Sequence, residues 1–375
     1  MRPINVCFMI DRLRRAGTEG QLVALIKQVN RSQVRPSLCL LDGEDEQSRS
    51  LEPDDCPVIR LGIRSLARRR TLRRCRQLAA ALRNQRTDVL QLFFRDSTYL
   101  GALAGYWAGV PHVVRTRNNI GHWITPVDRV LNRVCRRFIT HTLVNSEAGR
   151  EAIVSTEGVS GEMVTVLENG VDIDRFAWIG PLSPVAPVRP RIGTVANLRA
   201  VKGIDLLIKA ALRIARTLPG VEFLVAGEGE DRPALEQLLS TTGLAGQFRL
   251  LGQIEDIPSF LASLDIAVLC SRAEGSPNAV LEYMAAGRPI VAARVGGVGR
   301  LLDHEVHGLL VEPENPAALA DSILALLQDR QAALRMSQAA RMRAMTEFTR
   351  AAMIDRYERF LFRLMSKGGR REERA

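Results

Sequence analysis

Aromatic residues are scarce in this chain of 375 residues, at 5% of positions. No uninterrupted apolar run approaches the roughly 18 residues that a membrane-crossing helix needs. The six cysteines, at 7, 39, 56, 75, 135 and 270, form no C-x-x-C pair. Several sit inside apolar strand-like runs, as small core residues do, which points to a reducing cytoplasm. The opening run Ile4–Ile10 carries no cleavage-site pattern and reads as a strand, not a signal peptide. Neither a G-x-S-x-G elbow nor a phosphate-binding P-loop occurs, which removes two common enzyme classes.

Positive charge, by contrast, is plentiful. The formal net charge is +11, and residues 1–180 hold 27 Lys and Arg against 19 Asp and Glu. Arginines at 64, 68, 69, 70, 73, 74 and 76 crowd one stretch, in which Leu72, Cys75, Ala79 and Leu82 repeat at helical spacing. The pattern predicts a helix with a core face and an arginine face. A solvated surface is the plain reading, and attraction to anionic lipid the sharper one. Nucleic acid is disfavoured as a partner, because no aromatics interleave with the basic residues and no zinc or RNA-binding pattern appears.

Short β-branched runs alternate with amphipathic stretches almost throughout, which predicts an α/β fold of parallel sheets covered by helices. The first series runs from strand Ile4–Ile10 to strand Met163–Leu167. Prolines at 181, 184, 187 and 190 then interrupt it and favour an extended connector. A second series runs from strand Ile192–Ala196 to helix 331–345. We therefore expect two Rossmann-like, doubly wound domains facing across a cleft: residues 1–176, a linker 177–190, and residues 191–348. Segment 349–375 is expected to add a last helix and a polar tail. Ligands in such sheets bind outside the carboxyl ends of the strands.

The segment "EGSPNAVLEYMAAGRPIV" follows the predicted strand Ile266–Cys270 and places Glu274 and Glu282 around a Ser-Pro-Asn corner. Pro277 suits the first position of a helix, with Ser276 as its cap. The free N–H groups and positive dipole of that helix end favour an anion, and Gly275 has no side chain to obstruct it. A diphosphate is the natural occupant. Each carboxylate has two acceptor oxygens for a vicinal diol, so the two glutamates read as hydroxyl clamps on either side of that diphosphate. They do not read as an acid/base pair.

"EGSPNAVLEYMAAGRPIVAARVGG" closely resembles the signature of retaining glycosyltransferase family 4, whose members have the two-domain GT-B fold. The resemblance extends through "VANLRAVKGIDLLIKA", "LVAGEGEDRPALEQL", "LGQIEDIPSFLASLDIAVLCSRAEG", "VLENGVDIDRF" and "RAGTEGQLVALIKQVN". It implies transfer of a sugar from a nucleoside diphosphate, UDP favoured over GDP, to a hydroxyl acceptor on a cell-envelope polysaccharide or lipid-linked glycan. Neither metal nor cofactor is implied, and the C-terminal helix of segment 349–375 is implied to cross back to the first domain. By the same resemblance Glu274 contacts the donor sugar, Glu282 the ribose, and Lys202 the leaving diphosphate. Gly275, Ser276, Pro277 and Asn278 would form the donor loop, and Gly17 would let the first domain's loop approach the phosphate or acceptor.

The chain departs from the family pattern at three places. Asn197 stands where members often have a phosphate-binding arginine, and Arg199 is its expected substitute. Arg117, with His122 nearby, takes the place of a frequent histidine on the acceptor side. Arg300 replaces an acid after the Gly-Gly pair. Asp172-x-Asp174 and His304-x-x-His307 imitate metal motifs, but the first lies at the linker and the second has no third ligand in reach. Two function classes stand: a metal-independent glycosyltransferase, cytoplasmic or peripheral on the inner membrane face, and a catalytically silent scaffold of the same fold that binds sugar nucleotide or glycan.

Overall fold

The computed structural model describes residues 2–43, 45–64, 66, 70–118, 125–244 and 246–368. It divides into two compact units, 1–169 with 351–375, and 170–350. Each contains one wholly parallel sheet among its described residues.

In the first unit the chain order is β1 (Ile4–Ile10), α1 (Gly17–Gln28), β2 (Val34–Leu40), α2 (Glu46–Ser50), β3 (Val58–Arg60), α3 (Arg70–Asn84), β4 (Val89–Phe93) and α4 (Arg95–Ala108). Then come β5 (His112–Arg117), α5 (Pro126–Cys135), a 3-10 turn at Arg136–Phe138, β6 (His141–Val144), α6 (Glu147–Glu157) and β7 (Val164–Val166). The strands lie in the order 3-2-1-4-5-6-7. β1 is paired on both sides and buried along nearly its whole length, as its unbroken apolar run requires. β2 begins at Val34, earlier than the expected Ser37, and so contains Pro36. The missing N–H is tolerated because β3 joins β2 only from Leu38 onward. The helix of the arginine-rich stretch buries Cys75, Ala79 and Leu82, but Leu72 is 50% exposed and joins the arginines, a correction to the expected core face.

The second unit contains β8 (Arg191–Val195), α7 (Ile204–Thr217), β9 (Glu222–Ala226), α8 (Arg232–Ser240), β10 (Phe248–Gly252), α9 (Ile257–Ala262) and β11 (Ile266–Leu269). It continues with α10 (Asn278–Ala285), β12 (Ile290–Ala293), α11 (Val298–Leu301), β13 (Leu309–Val311), α12 (Pro316–Gln328) and α13 (Arg330–Glu347). Its strand order is 10-9-8-11-12-13. The proline-rich stretch forms neither helix nor strand, and it is fastened to this unit. Arg341, Arg288 and Arg330 donate to the carbonyls of Ile179, Gly180 and Ser183 at 2.7, 2.9 and 2.9 Å, and Leu182 is buried in the core.

The last helix, α14 (Arg350–Gly368), packs in the first unit. Met353, Ile354, Tyr357, Phe360 and Leu361 are buried there with β1, β2 and β4 residues such as Phe8, Leu38 and Val89. Among the described residues, no helix is long and apolar enough to cross a membrane.

Candidate functional site

In both sheets the strand order reverses beside the first strand of the unit, and such a switch point leaves a crevice at the carboxyl ends. In the second unit it lies between β8 and β11. The loops leaving those two strands carry Asn197, Arg199 and Lys202 on one side and Glu274, Gly275 and Ser276 on the other. Lys202 Nζ donates to Glu274 Oε1 at 2.6 Å, and Ser271 Oγ donates to the same oxygen at 2.6 Å. Residues 72 positions apart in sequence thus meet where the topology favours a ligand.

The two loops are held together by contacts that leave the Lys202 and Glu274 side chains at their ends. Lys202 closes a short 3-10 turn, and Gly203 follows it at φ +65°. A β-carbon on Gly203 would land on the Cys270 carbonyl oxygen, so only glycine lets the turn lie this close to β11. Arg272 N–H donates to Val201 O at 2.8 Å, and its guanidinium makes two 2.8 Å bonds to Asp205 and one of 2.6 Å to the Ala200 carbonyl. This bidentate pair draws the Asp205 carboxyl below its ordinary range. On the far side, Gly296 at φ +52° sits against the Glu274 carbonyl, and Gly297 N–H donates to Gly275 O at 2.7 Å. Arg272, Asp205, Ser271 and Gly296 were not foreseen. The only local signal for Arg272 is its place between a strand end and the first glutamate.

Helix α10 departs from expectation by one turn position. Pro277 is its N-cap, with ψ 114°, and the helix begins at Asn278, so Ser276 is not the N-cap residue. An extended ψ at Pro277 turns the chain into the helix one residue later than a first-position proline would. The start of α10 lies beside the loop that carries Glu274. Tyr283, fully buried, fixes α10 to the sheet: its hydroxyl accepts from Val195 N–H at 2.8 Å and donates to Val268 O at 3.3 Å. Its neighbour Glu282 is half-buried. Burial pushes the Glu282 carboxyl up to about 7, partly opposed by Arg175 and Arg350.

Asn197 and Arg199 are both exposed on the β8 loop. Buried Leu198 between them anchors that loop, its N–H donating to Glu228 O at 3.0 Å. The acid in the lure Asp172-x-Asp174 that faces Arg350 pairs with it at 2.8 Å. His304 and His307 each accept a backbone N–H through Nδ1, from Leu310 at 2.9 Å and Asp303 at 3.2 Å.

The first unit holds the other candidates. Gly17 is exposed at the start of α1. Arg117 is buried and points, with Arg115, toward Glu157 of α6; Arg115 Nη1 lies 2.7 Å from that carboxylate and Arg117 pairs with its other oxygen. Burial, with Arg115 beside it, lowers the Arg117 guanidinium to about 10. His122 lies outside the described residues. A cavity of about 60 Å³ opens on the other face of β5, lined by Thr18, Gln21, Gln91, Thr116, Asn118 and Tyr357 among others. Tyr357 donates to Gln91 Oε1 at 2.6 Å, and Gln91 Nε2 donates to Thr116 Oγ1 at 2.8 Å, so α14 supplies part of its polar wall.

Two family models match the chain. That for "Glycosyl transferase 4-like domain" matches residues 9–170, and that for "Glycosyl transferases group 1" matches 189–329. The α-D-kanosaminyltransferase of Streptomyces kanamyceticus is 34% identical over 152 residues, which are 40% of this chain and 39% of that protein. The chain thus spans well under half of that relative's length. The UDP-Gal:α-D-GlcNAc-diphosphoundecaprenol α-1,3-galactosyltransferase of Escherichia coli is 25% identical over 268 residues, 66% of this chain and 68% of that protein. Among solved structures, Anabaena Alr3699/HepE in complex with UDP and glucose superposes with a TM-score of 0.84 at 21% identity, over 96% of this chain and 99% of that one. With both sheets, both family models and this fold match in agreement, the chain belongs to the family 4-like glycosyltransferases of GT-B fold.

Proposed function

We propose that this protein transfers a sugar from a nucleoside diphosphate donor, UDP-linked, to a hydroxyl acceptor with retention of anomeric configuration. The observation that carries the reading is the Lys202–Glu274 pair at the switch point of the second sheet, beside the start of α10. In the free protein each side chain neutralises the other. A bound diphosphate would take Lys202 as its partner, leaving Glu274 held by Ser271 and open to the donor sugar's hydroxyls. Ser276, Pro277 and Asn278 would present the helix end to the phosphates, and Gly275 would let them approach. Asn197 and Arg199 would flank them from the β8 loop.

Glycosyl–phosphate cleavage develops positive charge on the sugar and negative charge on the diphosphate. Lys202, Arg199 and the α10 dipole are preorganised to stabilise the latter. The Glu274 carboxylate, engaged by two donors, serves as an orienting and charge-stabilising group. The acceptor hydroxyl would attack from the leaving-group face, giving up its proton to a phosphate oxygen. A retained anomer by NMR of the product is expected, and an inverted one would refute the mechanism. Because protein cations carry the leaving-group charge, chelation with EDTA is expected to leave turnover unchanged. A collapse restored by a divalent cation would refute that assignment.

The UDP preference is supported by the UDP complex of the Anabaena neighbour and by the name of the E. coli relative. That name also supports a lipid-linked acceptor, for which a position at the inner membrane face is the reading; His122 stays the acceptor-side candidate, whereas Arg117 is buried against Glu157. Incubating the purified protein with radiolabelled UDP-sugars tests the donor reading: release of free sugar or transfer to an added glycan is expected. Turnover of none would refute it.

Glu282 yields a separate pH prediction. Its carboxyl titrates near 7 in the folded protein, above its ordinary value of 4.5. A raised acid contributes stability that is present below pH 4.5 and lost as pH rises through about 7. Glu282→Gln should therefore stabilise the free protein at pH 8, by on the order of 2–3 kcal/mol, and not at pH 4.5. The ribose diol donates to the ionised form, so UDP affinity should rise as pH rises through about 7 and stay flat in the variant. Calorimetric titration showing the same pH profile for both proteins would contradict the ribose assignment.

A further inference from the structure

Helix α5 presents an apolar stripe to solvent. Val127, Val130, Leu131 and Val134 are 67, 64, 39 and 51% exposed, and they recur at i, i+3, i+4 and i+7. Successive helical residues turn about 100°, so the four project within a sector about 100° wide. The buried side of the same helix is different: Cys135 and Asp128 face inward, and Tyr99 of α4 donates to Asp128 at 3.1 Å. The helix is therefore anchored by one face and exposes a second, apolar one. Phe138, four residues past Val134, pairs with Tyr106 at 4.9 Å between ring centroids, and Tyr106 is 63% exposed. An amphipathic ring thus stands at the end of the stripe.

Beside the stripe run Arg129, Arg133 and Arg137, all exposed. Among the described residues, none of the three has a carboxylate partner. On α3, Arg73, Arg74 and Arg76 are likewise exposed beside Leu72, and α3 packs on α4, the helix that also carries α5. An apolar stripe alone would suit many partners. One bordered by unpaired guanidinium groups, with an exposed tyrosine at its end, matches the boundary between lipid headgroups and acyl chains. A second copy of the chain is a poorer occupant, since a symmetric contact over this patch would bring two arginine rows together without acids.

We propose that α5 docks the first unit on an anionic bilayer, with Val127, Val130, Leu131 and Val134 entering the headgroup boundary and Arg129, Arg133 and Arg137 contacting lipid phosphates. The proposal deepens, and rests on, the reading that the acceptor is presented at a membrane. It differs from a purely electrostatic attachment, which salt would abolish; apolar insertion should leave residual binding at high salt.

Flotation with phosphatidylcholine vesicles, with and without phosphatidylglycerol, tests it on the full chain. Wild type is expected to bind only the anionic vesicles. Val130→Asp/Val134→Asp, at solvent-facing positions, should weaken that binding by at least about tenfold, and Arg129→Gln/Arg133→Gln/Arg137→Gln should also weaken it. Hydrolysis of UDP-sugar by the valine variant, at wild-type rate, would show that its fold is intact. Equal binding by the valine variant overturns the proposal, as does wild type that hydrolyses donor but floats with no vesicle. A valine variant that changes only the sedimentation coefficient would assign the stripe to a second copy, and also overturns it. Wild type that binds vesicles but turns over no donor refutes the transfer reading and leaves the docking surface standing.

Discussion

Lys202→Ala is expected to lower sugar transfer by about 10²–10³-fold, the usual cost of deleting one preorganised donor aimed at developing charge. The loss should fall mainly on kcat, because the diphosphate gains negative charge as the glycosyl bond breaks and Lys202 is needed most at that moment. In the free protein Lys202 also neutralises Glu274 at 2.6 Å. Removing the lysine leaves a nearly buried carboxylate with Ser271 as its donor, so the variant should also lose stability. Adding Glu274→Gln should restore that stability without restoring turnover. A double variant whose losses in turnover simply add would show that the two groups act independently, against the shared site described above.

Gly296→Ala is expected to abolish most activity although Gly296 itself is given no contact with substrate. The backbone there has φ +52°, and the added methyl would overlap the Glu274 carbonyl. A non-glycine residue in the left-handed region costs about 1–3 kcal/mol by itself, and here backbone must also move. The cheapest relief is displacement of the 274–275 loop, which parts Gly297 N–H from Gly275 O and carries Glu274 away from Lys202. A misplacement of about 1 Å is enough to cost on the order of 10² in rate. Gly299→Ala, three residues on, is the matched control, because a β-carbon there meets nothing. Equal activity of the two variants, measured on protein shown folded by circular dichroism, would contradict the bracing role given to Gly296.

The strand and helix periods in the sequence were enough for the two parallel sheets, since buried parallel strands such as Ile4–Ile10 and Ile266–Leu269 are nearly unbroken apolar runs. What they could not reveal is what covers each face. Leu72 fits the core period of α3 yet lies in solvent. The apolar period of α5 marks a helix but not that its stripe is left open. The site was legible in part: Glu274 and Lys202 came from the motif and its family resemblance, and the sheet topology brings the two together. Arg272 was not legible, because its function depends on Asp205, 67 positions away, and on carbonyls of a turn whose path Gly203 sets. Ser276 as cap failed on a single dihedral at Pro277.

The central claim is tested most directly by a crystal structure of the protein with a non-hydrolysable UDP-sugar. The prediction is a diphosphate against the backbone N–H groups opening α10, with Lys202 Nζ in hydrogen-bond contact with it and the ribose hydroxyls on Glu282. A donor bound away from the β8–β11 switch point, or leaving Lys202 still paired to Glu274 and Glu282 without a sugar contact, would contradict it.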